Sequence, residues 1–261
     1  MRSLRIAWLS LRLGVLNALQ YRVDFAIQLV QSVISLAAAL GGIAIVFGQT
    51  DDLAGWRREE LVALVGVYLL VRGLVDVVIR PSMERLMEGV RLGTLDFALT
   101  KPVDAQLLVS IRQVEVWRLI DVGLGLSVIV VAIVALGERV GLDRAAAFGL
   151  VLGGGIAIIY SFLLILATLS FWLVRLENIL VIFGTMYEAG RWPVGIYPPF
   201  LRAALTFVVP VAFAITVPVE TLVGRLDPPT LLLSVLLAVA FLLVSRWFWR
   251  YGLRHYTGAS A

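Results

Sequence analysis

Long apolar runs alternate with short polar breaks along this chain, and a bilayer crossing needs about 20 apolar residues. Six segments meet or approach that length: Phe25 to Phe47, Leu61 to Ile79, Val114 to Leu136, Ala146 to Val174, Ile179 to about Tyr197, and Leu231 to Phe248. The third begins in the mixed stretch LLVSIRQVEVWRLID, and the fifth is interrupted late by Gly190 and Pro193. Ahead of the first, Leu4, Trp8, Leu11, Val15 and Leu19 recur at helical spacing while Arg5 and Arg12 fall on another face. With its arginines toward lipid phosphates, such a helix lies flat in the membrane interface, and residues 1–23 are predicted to do so. An ordinary helix packed on the protein's own surface has the same pattern. The interspersed arginines and the missing small-residue cleavage site argue against a signal peptide.

Between the second and third runs lies PSMERLMEGVRLGTLDFALTKPVD, residues 81–104, too charged for lipid. Met83 to Gly89 reads as a short amphipathic helix, with Met83, Leu86 and Met87 on one side and Glu84, Arg85 and Glu88 on the other. Gly93 offers a stop.

FLRAALTFVVPVAFAITVPVETLVG, residues 200–224, is apolar enough for a seventh crossing, but charge sidedness opposes it. Six spans from a cytoplasmic N-terminus put 14 Arg and Lys inside and 7 outside, leaving Arg72 within a span. That is the bias expected of cytoplasmic loops. A seventh span would move Arg246, Arg250 and Arg254 outside. Pro210 and Pro218 also break the segment, and broken backbone at membrane depth is tolerated where protein covers it. The segment is therefore predicted to be a re-entrant hairpin dipping in from the outer side.

Composition agrees with a polytopic all-α membrane protein forming one transmembrane domain over residues 1–261: 61% of residues are hydrophobic, 15% charged, and mean hydropathy is +0.97. Such values lie far outside the soluble globular range. There is no cysteine, hence no disulfide or thiol chemistry. The single histidine, His255, makes neither a metal site nor a triad. Gly153 to Gly155 is not a phosphate loop, because no GxxxxGK[ST] occurs. Trp172, Trp192, Trp247, Trp249 and Tyr251 near span ends read as interfacial anchors.

The run RLGTLDFALTKPVD resembles the cytoplasmic loop after the second span of ABC-2 type permeases, in the branch of six-span bacterial permeases. YEAGRWPVGIYPPFLRAALTFVVPVAFAITVPVETLVG is similar to that family's proline-containing turn and broken hydrophobic segment before the last span. The resemblance covers nearly the whole chain. It implies an interfacial N-terminal helix, six spans, a coupling helix in the first cytoplasmic loop and re-entrant helices between spans five and six. It further implies a permease subunit of an ATP-driven exporter in the bacterial inner membrane, both termini cytoplasmic. The pathway would form with a second permease, identical or related, and separate ATPase subunits would bind ATP and Mg; no nucleic acid is implied. On that resemblance Met83, Glu84, Arg85, Met87, Glu88 and Arg91 would contact the ATPase. Gly93 would turn the chain, and Asp96 and Lys101 would anchor the return. A solvated loop helix is the plainer reading of the same residues.

Ionisable residues within spans are costly and face the protein interior. Arg72 and Asp76, four apart, can pair on one helix face, either structurally near the cytoplasmic boundary or as a proton relay. Gln28, Gln31, Ser32 and Ser35 form a polar face on the first span, for a transport route or for interhelical hydrogen bonds. Glu188 and Arg191, one turn apart at the outer end of the fifth span, are candidates for an outer gate. Ala145, Gly149, Gly153, Ala157 and Ser161 form a small-residue ridge on the fourth span for close helix packing. Two other classes stay open on residues alone: an ion-coupled secondary transporter using Arg72 and Asp76, and a membrane scaffold that transports nothing.

Overall fold

The computed structural model describes residues 22–137, 140–173 and 178–256, so most of the expected interfacial helix at 1–23 lies outside the described residues. Among the described residues the fold is all-α, with no β-strand. Five helices are long and apolar enough to cross a membrane: α1 (Arg22–Phe47), α2 (Arg58–Arg91), α5 (Val116–Leu136), α6 (Leu142–Phe171) and α10 (Pro228–His255). Between them lie the short α3 (Asp96–Leu99) and α4 (Ala105–Ser110), then α7 (Ile179–Glu188) and the elbow of α8 (Pro199–Val208) and α9 (Val211–Leu222). Two faces follow: the Arg58 face, where α1 and α5 end and α2, α6 and α10 begin, and the opposite Arg91 face.

The second span and the helix of the polar loop are one rod. α2 runs unbroken for 34 residues, about 51 Å at 1.5 Å per residue, so about 20 Å projects beyond a 30 Å hydrocarbon layer. The separate short helix expected over Met83 to Gly89 is the end of this rod. Pro81 would be expected to break it, because proline lacks the N–H that bonds the carbonyl four residues back and its ring crowds that carbonyl. A π-helical turn at Val75–Ile79 widens the helix there, and the freed Val77 carbonyl accepts from Glu115 N–H at 2.8 Å. The same bond ties the start of α5 to α2. At Gly93 the chain turns with φ +68° while Thr94 and Leu95 N–H both reach the Gly89 carbonyl. That left-handed conformation favours glycine, as the sequence predicted.

α2 is buried on nearly every side and forms the core of the bundle, with Leu61, Leu64, Val67, Tyr68 and Val71 almost inaccessible. Its closest partner is α5. Cβ atoms placed on Gly66 and Gly73 would lie 2.8 and 2.7 Å from Ile129 and Val122, and one on Gly125 would lie 2.5 Å from the Leu70 backbone nitrogen. The ridge expected on the fourth span does not do this work: Gly149 and Gly153 have no neighbour within 4 Å. On α6 it is Gly155, off that ridge, that meets Ala214 of the elbow, at 2.6 Å from a placed Cβ. α1 and α10 lie at the periphery, with Val30, Ile34, Leu232 and Leu243 exposed as lipid contact requires.

The fifth span departs from expectation. α7 has ten residues, about 15 Å, half a crossing, and continues as short 3₁₀ turns at Ala189–Arg191 and Val194–Ile196. The elbow is bent by 67° at Val209 and Pro210, more open than a closed hairpin. Its second leg runs along α6 from Ala214 at Gly155 to Gly224, which lies against the Arg144 guanidinium. On the Arg58 face, Arg225 joins this leg to α2, meeting the buried Glu60 at 2.8 Å and the Gly55 carbonyl at 2.7 Å.

Candidate functional site

Two sites share α2. The first is its projecting end with the segment that follows. Glu84, Arg85, Arg91 and Lys101 are exposed, Glu88 is half-buried, and Arg85 bonds Glu88 within the helix. Arg80 holds Glu84 at 3.0 Å. Met83 is fully buried in the protein's own core and Met87 packs against it, so neither forms part of an exposed docking face. The helix turns its apolar stripe inward because α4 and α6 lie on that side; periodicity fixes which residues share a stripe but not what covers it. The exposed apolar contribution comes instead from Leu92 and Phe97, the latter 74% accessible. Asp96 opens α3, and its carbonyl accepts from Thr100 N–H.

This segment is fastened to the bundle at its far end. Asp104 caps α4 by accepting from Leu107 N–H at 3.1 Å, and its carboxylate takes a two-pronged bond from Arg246 of α10. Arg246 also donates to Gln106 at 2.7 Å, and Gln106 to Tyr160 of α6 at 3.1 Å. Arg246's hydrogen bond first, then Leu107's amide, hold the Asp104 carboxyl down to about 2 against the opposing effect of its burial. A depressed carboxylate stabilises the fold above its ordinary value of 3.8 and ceases to as pH falls through about 2. The Asp104→Asn variant should therefore melt below the wild type near pH 5 and converge with it towards pH 2. The gap will be small, under about 1 kcal/mol, because the pair is half exposed.

The second site is an ionic cluster inside the bundle. Arg72 lies 14 residues along α2 from Arg58, about 21 Å into the layer. It donates to Glu188 of α7 at 2.7 Å and to Tyr68 OH at 2.8 Å, and reaches Asp76 at 3.6 Å. Its main partner is therefore on another helix, and the Arg72–Asp76 pair expected along α2 is the looser contact. Glu188 also takes Arg191 at 2.7 Å, and Arg191 donates to Ser35 of α1 at 3.2 Å and lies 5.2 Å over the Tyr68 ring. Because α7 ends at half depth, Glu188 and Arg191 sit within the layer and not at the end of a span as expected. On α1, Gln28 and Ser32 are buried against Asp121 of α5, with Gln28 Nε2 at 3.1 Å from Asp121 Oδ2 and Ser32 donating to Oδ1. Gln31 is exposed at the cluster's edge.

Tyr68, Tyr187 and Asp121 complete this cluster and were not singled out from the sequence. An acidic residue about two turns inside the third apolar run was a legible signal, as was a tyrosine four residues before Arg72. Two cavities flank the cluster: one of about 280 Å³ between α2 and α7, lined by Asp76, Arg80 and Thr185, and one of about 170 Å³ lined by Gln31, Ser35 and Asp121. Both include Arg72 and Glu188, whose ion pair forms the wall between them. Among the described residues no group of acidic or histidine side chains is arranged to hold a metal ion.

Long apolar helices around a buried ionic cluster define a multi-pass membrane protein with a polar interior. The sequence profile of the ABC-2 family transporter proteins matches residues 33–260, and the chain belongs to that family: it is a permease component of an ABC transporter. No curated protein and no solved structure matches it.

Proposed function

We propose that the chain is the membrane subunit of an ATP-driven exporter in the bacterial cytoplasmic membrane, forming a pathway with a second permease, identical or related. Separate ATPase subunits bind ATP and Mg and dock on the Arg91 face, which the charge bias assigns to the cytoplasm together with both termini. The observation that carries this reading is the continuity of α2. One rod bears the exposed Glu84, Arg85 and Arg91 and the half-buried Glu88 at its projecting end and Arg72 and Asp76 within the layer. A push on the exposed end therefore reaches the ionic cluster without crossing a flexible joint. Leu92 and Phe97 supply apolar contact, the charges register and partner choice. Arg246, clasping Asp104, gives the same movement a second route into α10.

Replacing Glu84 and Glu88 by arginine tests the docking. ATP-driven transport in vesicles carrying the permease with its ATPase should fall at least about tenfold, since like-charge contacts at an interface cost several kcal/mol. The protein should remain folded, because both side chains lie largely outside the core. Full transport by the double variant would refute the docking surface.

A further inference from the structure

The 280 Å³ cavity between α2 and α7 is built within one protomer, and its charges differ in how tightly they are held. Glu188 is gripped by Arg72 and Arg191, each at 2.7 Å. Asp76 is not: Arg72 at 3.6 Å and Arg80 at 4.0 Å lie beyond hydrogen-bond distance, Arg118 adds only its charge, and Oδ2 is buried without a hydrogen bond. Arg80 spends its Nε on Glu84, while its two terminal nitrogens lie over Gly184, 3.7 and 3.9 Å from where a Cβ would stand. The cavity therefore presents an under-satisfied carboxylate and, one turn away, a guanidinium edge with spare donors.

Four charged side chains line it, two cationic and two anionic, so a ligand of net charge would leave an unbalanced charge at membrane depth. A ligand carrying both poles would not. Arg80 lies 22 residues from Arg58, about 33 Å along α2 and level with lipid phosphates, with Asp76 one turn deeper. The cavity is half-enclosed, and Val181, an apolar residue of its lining, is 56% exposed.

We propose that this cavity binds the head group of a zwitterionic amphiphile bearing a primary amine: the ammonium enters towards Asp76, the phosphodiester stays at Arg80, and the acyl chains leave past Val181. The ammonium N–H makes a charge-assisted hydrogen bond to the carboxylate edge that Asp76 presents to the cavity, where Arg80 stands off at 4.0 Å from Oδ1; a quaternary amine has no proton to make it. That this ligand is cargo rests on the transport reading above; that it binds does not.

The test is lipid binding to the purified full chain in detergent, read by native mass spectrometry with short-chain phosphatidylethanolamine, phosphatidylcholine and phosphatidylglycerol. Phosphatidylethanolamine should bind about tenfold or more tighter than either, the worth of one charge-assisted hydrogen bond. Asp76→Asn should remove that preference. Gly184→Leu, which fills the cavity beside Arg80 and replaces no charged residue, should abolish binding while the protein stays monodisperse. Equal or tighter binding of phosphatidylcholine or phosphatidylglycerol overturns the proposal, as does undiminished binding by Gly184→Leu. Lipid selectivity without ATP-dependent lipid movement in vesicles with the ATPase would leave the site standing and remove its role as a cargo site. ATP-driven transport of another solute by a chain that binds none of these lipids would leave the transporter reading standing and remove the site.

Discussion

Gly125→Leu should leave no stably folded protein. A Cβ at this position falls 2.5 Å from the Leu70 amide nitrogen and 2.8 Å from the Gly66 carbonyl oxygen. Both are backbone atoms of the most buried helix, so neither can move aside as a side chain would. α2 and α5 would have to separate along their closest contact, dragging Gly73 from Val122 and loosening the Asp121 cluster one turn away. Overpacking in a close-packed interior costs about 1–3 kcal/mol where side chains can adjust, and the cost here lies at or above the upper end of that range. The measurement is the melting temperature and elution profile of the detergent-purified variant beside Gly149→Leu. The latter substitution has open space within 4 Å and should melt like the wild type. Equal melting of the two variants would mean that α2 and α5 are not held at backbone distance.

The same pair of glycines marks where the sequence stopped being informative. A stripe of small residues says that another helix can approach, and the stripe on α6 satisfies that condition at Gly149 and Gly153 with nothing there. The contacts that form use Gly66 and Gly73 of α2, seven apart, Gly125 of α5 and Gly155 of α6, none of which belongs to a four-residue stripe of small residues. Five of the six expected spans and their order, the Gly93 stop and the break at Pro210 were legible because each is dictated locally by length, φ or a missing N–H. The end of α7 at Glu188 was not, since its apolar run continues in sequence while the backbone changes to 3₁₀ turns. Met83 shows the same limit: its stripe was correctly drawn, but the neighbour covering it comes from other parts of the chain. Arg72, Asp76, Gln28 and Ser35 were noticed as polar residues out of place in an apolar run, and Glu188 and Arg191 as a charged pair at the outer end of one. Their convergence depends on a contact 116 positions apart, which no local pattern encodes.

That convergence sets the second large expectation. Arg72→Leu should destabilise the protein by about 3–5 kcal/mol, the range for removing one partner of a buried charge pair. The loss falls mainly on Asp76, whose side chain is 7% accessible and whose remaining cation in ion-pair range is Arg80 at 4.0 Å. Glu188 keeps Arg191 at 2.7 Å and is 40% accessible, so it contributes less. Tyr68 loses a 2.8 Å hydrogen bond as well. If the cost comes from an orphaned carboxylate, removing that carboxylate should recover part of it. Arg72→Leu/Asp76→Leu is therefore expected to be more stable than Arg72→Leu alone, although it carries one more substitution. Melting of the two single variants and the double variant in one detergent measures the coupling. A double variant destabilised by the sum of the singles would show that Arg72 acts through Glu188 and Tyr68 alone, with no coupling to Asp76. Arg72→Lys separates charge from geometry: a single ammonium can neutralise one carboxylate but has no planar fork to hold Glu188, Tyr68 and Asp76 together. It should fall between the wild type and Arg72→Leu.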